Sequence, residues 1–191
     1  GTGLTTAEMQ DANTFIAARW DLVDERANGT SDLWLIPKGG GYPVLTFFTD
    51  SYQRRSLEGT GTLDAPYRIA TAEDLGAICH YGWSACYKFV ADIDLSGIMW
   101  ATAPIANFNG TLDGAGFILS SLTIQGEANL GLFCVLDKFA HVRNLRVEDA
   151  NIVGGPCAGG LAGWNYGHIT DCFVVGNVSG DDCVGILVGS N

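Results

Sequence analysis

Basic side chains are scarce in this sequence. Of 191 residues only ten are Lys or Arg, against 21 Asp or Glu, which gives a net charge of −11 at neutral pH. The basic residues form no cluster, so neither nucleic acid nor an anionic membrane surface is an expected partner. Long apolar runs are missing as well: none approaches the roughly 20 residues that span a bilayer. Charged residues make up 16% and hydrophobic residues 47%, a balance that excludes a disordered chain. There is no initial Met and no signal peptide ahead of Gly1, so the sequence reads as a processed protein or a segment of a longer one. No Cys-x-x-C pair occurs, which removes zinc-ribbon and thioredoxin chemistry. The Ser and Thr residues lack a specific His–Asp set, and Gly114-Ala115-Gly116 is followed by neither a helix nor a Lys.

What is abundant is glycine, 26 residues, spread among strand-like phrases rather than massed in a linker. Such spacing implies many tight turns or close backbone contacts. Six cysteines and three Asn-x-Ser/Thr sequons, at Asn28, Asn109 and Asn177, favour a location outside the cytoplasm, where disulfides and glycosylation occur. Thr5 and Glu8 form a capping box ahead of Met9, Ala12, Ile16 and Trp20, which share one face of a helix expected to run to about Arg19. "DLWLI" and "YPVLTFF" follow as a hairpin or two edge strands, with Pro43 confining the second to an edge or a strand start. The polar stretch "TDSYQRRSLEGTGTLD" marks the junction between two parts, 1–57 and 58–191. Beyond it, "PYRIA" reads as a strand, "TAEDLGAIC" as a short helix capped by Thr71, and "KFVADIDLS" as a strand with Phe89, Ala91, Ile93 and Leu95 on one side.

The remainder repeats. Leu119–Ile124, Val142–Val147 and Ile169–Val174 line up at spacings of 23 and 27 residues, and "LGLFCVL", "AGGLAGW" and "VGILVGS" recur between them. A period of 20 to 30 residues built from short strands and Gly turns is a solenoid signature. Each unit buries its apolar side only by stacking on the next, at about 4.8 Å per coil. The segment "AGGLAGWNYGHITDCFVVGNVSG" resembles the GLUG repeat, a Gly- and Leu-rich motif of large bacterial surface proteins. The run from "GTLDAPYRIATAEDLGAI" to "LGLF" is similar to the segment that precedes such repeats. "TTAEMQDANTFIAARWDLV" with "LWLI" and "YPVL" is similar to the segment that follows them, although here it comes first. The resemblance implies a parallel β-helix on the cell surface with no shared catalytic residues. The expected fold is therefore mainly β: a right-handed parallel β-helix over 58–191, with a small N-terminal α+β capping segment over 1–57.

Candidate sites are few. Cys157 and Cys183 fall at matching positions of successive coils, and Cys79 and Cys86 flank a loop; both pairs are disulfide candidates. Asp92, Asp94 and Asp113 are candidate oxygen ligands for Ca²⁺, the one cofactor considered, or a carboxylate pair like those of polysaccharide-cleaving enzymes. The plainer reading is the solvated face of an alternating strand. His141 and His168 also align, near Asp171, but too few ligands accompany them for a metal. Trp83, Trp100, Trp164 and Tyr166 are either sugar-stacking aromatics or turn-packing ones. The functional expectation is a non-enzymatic extracellular structural module of a fibre or adhesin, its partners copies of itself joined head to tail into a filament. The expected interface comprises Met9, Ile16, Trp20, Trp34, Ile36, Val44, Leu45 and Phe47 against Val184 and Leu187. The alternative is a glycan-binding or polysaccharide-degrading β-helix, which a cluster of basic and acidic residues in one cleft would favour.

Overall fold

The structure, a computed structural model, describes residues 4–18, 34–35, 43–45 and 56–191. Asn28, Trp20, Ile36 and Phe47 lie outside the described residues. The N-terminal helix is split in two. Thr5 and Glu8 do exchange hydrogen bonds, with Thr5 N–H donating to Glu8 at 2.7 Å and Glu8 N–H to Thr5 Oγ1 at 3.3 Å. They lead, however, into a 3-10 turn at Glu8–Gln10, and α1 (Ala12–Ala17) starts afresh after Asp11 at φ −97° and ψ 119°. The Asp11 carboxylate accepts the Asn13 amide at 3.0 Å, so a side chain able to cap takes the place of a mid-helix turn. Phe15 is buried on α1, while Ile16 is half-buried and Met9 exposed. Next, β1 (Trp34–Leu35) pairs antiparallel with β2 (Val44–Leu45), which Pro43 immediately precedes. The hairpin reading of these two phrases therefore holds.

From Tyr67 onward the chain winds as a parallel solenoid. An opening strand, β3 (Tyr67–Ile69), leads into α2 (Ala72–Ala77) and a 3-10 turn at Ile78–His80. Coil 1 holds β4 (Cys86–Phe89), β5 (Ile93–Asp94), β6 (Met99–Trp100) and β7 (Ile105–Phe108). Coil 2 holds β8 (Thr111–Asp113), β9 (Ile118–Ser120), β10 (Thr123–Gln125) and β11 (Phe133–Leu136). Coil 3 holds β12 (His141–Arg143), β13 (Arg146–Val153), β14 (Cys157–Gly159) and β15 (Ala162–Asn165). Coil 4 holds β16 (His168–Thr170), β17 (Phe173–Ser179), β18 (Cys183–Gly185) and β19 (Val188–Ser190). Stacking gives three main sheets: β3-β4-β8-β12-β16, then β5-β9 and β6-β10 merging on β13 and β17, then β7-β11-β15-β19. All pairs in these sheets are parallel, and a short β14-β18 pair fills the remaining corner.

Inward residues form apolar columns. Tyr87, Leu112, Val142 and Ile169 stack in the first sheet; Ile93, Leu119, Val147 and Val174 in the second; Ile105, Phe133, Ala162 and Val188 in the third. In coils 1 to 3 most of these are fully buried, each contributing about 1.5–3 kcal/mol by removal from water. Tyr67, Tyr87, Phe108 and Phe133 make a tilted ring ladder with centroids 5.0–6.0 Å apart. The Tyr87 hydroxyl donates to Gly82 O at 2.9 Å, and burial pushes its phenol far above the ordinary value. Corners need left-handed backbone: Asn144 (φ 52°) and Asp171 (φ 51°) occupy one such position in coils 3 and 4, where Asn and Asp are the side chains that tolerate it.

One register expectation is corrected. Val142 does stack on Ile169, and Leu145 on Cys172, at the 27-residue spacing. Leu119, however, pairs with Val147, and Val142 with Leu112, so the 23-residue match slides coil 2 onto the neighbouring face. Leu122 precedes Thr123, the partner of Asn151, and so lies over Ala150 rather than Leu145. The corner from Asp113 to Ile118 spans five positions where Arg143 to Arg146 spans three. Every face carries the same period-two alternation, and the pattern cannot distinguish one face from the next.

The segment from Leu57 to Tyr81 covers coil 1. Helix α2 packs on β3 and the following 3-10 turn on β7. Leu57, Leu75 and Ile78 join the same core as the coils. Thr71 and Asp74 form a complete capping box, and Tyr81 Oη accepts the Leu57 amide at 2.9 Å.

Candidate functional site

The acidic candidates do not converge. Asp92 Oδ1 accepts the Ile118 amide of the next coil at 2.8 Å. Asp94 accepts the Ser96 amide at 2.9 Å and its hydroxyl at 2.8 Å, and these bonds hold its pKa below the ordinary value. Asp113 accepts from Ala115 N at 2.9 Å, Asn144 Nδ2 at 3.0 Å and Arg143 Nη2 at 3.0 Å. Each carboxylate thus fastens a corner or a rung. Among the described residues no three His, Cys, Asp or Glu side chains gather as a metal-holding group.

The cysteine and histidine columns follow the register. Cys157 and Cys183 are direct partners across β14 and β18, and burial together with the neighbouring thiol raises the Cys157 pKa. Cys79 is exposed and Cys86 half-buried on β4. His141 and His168 stack with ring centroids 4.8 Å apart and planes 19° apart, both exposed. Of the sequons, Asn177 is exposed on β17, whereas Asn109 Oδ1 is buried with no hydrogen-bond partner.

Two surface features were hidden in the sequence. The first is a groove of about 500 Å³ lined by Arg68, Lys88, Asp113 and Arg143. These residues sit 20 to 75 positions apart, yet the first sheet places them on successive rungs. Only the register could have revealed them. The second feature sorts the candidate aromatics. Trp100 is core, and Trp164 is half-buried with Nε1 donating to Asn129 Oδ1 at 2.9 Å. Trp83 and Tyr166 remain 63% and 61% exposed and line one cleft of about 320 Å³ with Asn107, Asn109, Val135 and Asp137.

Four stacked coils, in-register columns and outward-facing grooves define a parallel β-solenoid repeat module. Residues 154–179, which run from just after β13 to the end of β17, match the family described as the GLUG motif. It is also 30% identical, over its whole length, to a stretch of halomucin from Haloquadratum walsbyi. Over 61% of its length it is 32% identical to a protein of Evansella cellulosilytica described as a Gly-rich membrane protein. The chain spans 2% and 15% of the lengths of these two relatives. No solved structure matches it. No helix among the described residues is long and apolar enough to cross a membrane.

Proposed function

We propose that the chain is a non-enzymatic structural module of an extracellular or cell-surface protein, extended end to end by further modules of the same kind. The observation that carries this reading is coil 4. Its inward positions Ile169, Cys172, Val178, Leu187 and Val188 are only partly buried, and Val184 and Ile186 are 41% and 49% exposed. The equivalent positions of coils 2 and 3 are closed by the coil above, whereas among the described residues no strand pairs with the outer side of β16, β17, β18 or β19, which leaves an apolar cross-section there. A head-to-tail contact that covers this surface with the 1–57 segment of the next unit does not close on itself and gives a filament. The small share of two long relatives that the chain spans supports the same reading.

Sedimentation of the 191-residue chain over a wide concentration range tests this. Association is expected, and Val184→Lys with Leu187→Glu should abolish it. A chain that stays monomeric throughout would sink the proposal. A second reading, cleavage of an acidic polysaccharide, draws on the groove of Arg68, Lys88, Asp113 and Arg143. Cleavage there requires a group that accepts a proton, and Asp113 is tied to four donor atoms and held below the ordinary carboxylate range. Turnover of polygalacturonate that disappears in Asp113→Asn would favour this second reading.

A further inference from the structure

We propose that the cleft between Trp83 and Tyr166 is a binding site for a neutral sugar chain. Asn109, Asp137 and Tyr166 occupy one position of three successive coils, since Phe108 pairs with Leu136 and Leu136 with Asn165. Asn107 and Val135, also register partners, form the adjoining column. Trp83 lies one rung before Asn109, because its carbonyl accepts the Asn109 amide at 2.9 Å, as Phe108 O accepts the Asp137 amide and Leu136 O the Tyr166 amide at 2.8 Å. Tyr166 is three rungs beyond Trp83, about 14 Å at the usual strand spacing. The cleft therefore runs along the solenoid axis with an aromatic ring at either end.

Three observations point to sugar. Large aromatics normally bury their area, and here two that stay mostly exposed face the same cleft. Tyr166 is held in place: Trp164 lies beside it with centroids 6.1 Å apart and planes 16° apart, and Asn129 pins Trp164 in turn. Between the rings stand two amides and a carboxylate, groups that pair with the donors and acceptors of adjacent ring hydroxyls. Asn109 Oδ1 is buried without a partner among the described residues, which leaves an acceptor beside the cleft for a donor such as a hydroxyl. A sugar ring offers an apolar C–H face for stacking and hydroxyls along its edge, which matches both kinds of group.

The charge of the lining sets the class. Among the described residues no Lys or Arg lines the cleft and Asp137 does, so uronates and sulfated sugars are disfavoured. A single ammonium ion needs aromatic faces closing around one point, and three rungs separate these rings too widely for that. This site is independent of the end-to-end contact, which involves other residues.

The test uses the full chain with cellohexaose, mannohexaose and maltohexaose as probes, and polygalacturonate as the anionic comparison. Binding is followed by tryptophan fluorescence and calorimetry, with circular dichroism confirming that each variant is folded. At least one neutral hexaose should bind saturably. Trp83→Ala and Tyr166→Ala should each weaken it about tenfold, the size of one lost aromatic contact. Asn109→Ala should weaken it without altering the aromatic signal of the free protein. The proposal is overturned if none of the three hexaoses binds, if both aromatic variants bind as well as the parent, or if polygalacturonate is preferred. Sedimentation of the same variants separates this outcome from the assembly proposal.

Discussion

Asp113 joins two coils through one carboxylate. Arg143 and Asn144 of coil 3 reach it from the next rung, and the Ala115 amide closes the coil 2 corner on it. Burial alone would raise its pKa. The bonds from Asn144 and Ala115 and the Arg143 charge outweigh that and leave it below the ordinary 3.8. A carboxylate with a folded-state pKa below its unfolded value contributes stability that is complete above the unfolded value and lost as pH falls through the folded one. Asp113→Asn should therefore cost about 1–2 kcal/mol at neutral pH, allowing for solvent screening at half-exposed Arg143. Thermal melts from neutral pH down to about pH 2 should show the parent's advantage vanish in acid. A constant gap across that range would count against this account. Side chains of this kind were legible as strand-face acids, but their partners were not. Lys88 and Arg143 meet Asp113 only through register, and Trp83 meets Tyr166 only through coil winding.

At the scale of elements, local chemistry was legible wherever a cap or an alternation stood undisturbed. Helix α2 follows Thr71 as its capping box requires, and Phe89, Ile93 and Leu95 turn inward as their spacing demands. The N-terminal helix was over-extended because Asp11 lies on a helical pattern but caps a new helix instead. Register failed for a different reason. Coils 3 and 4 keep a 27-residue spacing from Val142 to Ile169, while coil 2 lengthens one corner with Gly114-Ala115-Gly116. Glycine also governs where coil 4 straightens: Gly176, at φ 153°, lies against Ala150, and a Cβ there would come 2.1 Å from the Ala150 oxygen. The segment covering coil 1 was read as a strand and a short helix, but its own pattern does not say that the helix packs over the end of the core. Leu75 is its fully buried anchor. Leu75→Ala should destabilise the chain by about 2–5 kcal/mol, the usual range for a buried Leu truncation. Urea unfolding measures this, and a cost under about 1 kcal/mol would mean that the helix does not seal the core.

Across the whole molecule, stability should be graded along the solenoid axis. Each coil contacts only its neighbours, so its resistance to opening depends on how many faces are covered. Coils 2 and 3 are packed on both sides, and Leu112, Leu119, Phe133, Val142, Val147 and Ile152 are fully buried. Among the described residues coil 4 has one neighbour, and of its apolar side chains only Val174 is in the buried core. Local opening free energies run from near zero at such edges up to the global value in the core. Hydrogen exchange should therefore find the amides of β17 and β19 that pair with coil 3 less protected than those of β11 and β13 by at least tenfold, about 1.4 kcal/mol. The same experiment on two copies fused in tandem separates an intrinsically loose coil from an uncovered one. If residues 1–57 of the second copy cover coil 4 of the first, its amides should approach the protection of coil 3, and Val184→Lys in the first copy should reverse the gain. Equal protection in coils 2 to 4 of the single chain would show that coil 4 is already sealed. The end-to-end reading would then lose the observation on which it stands.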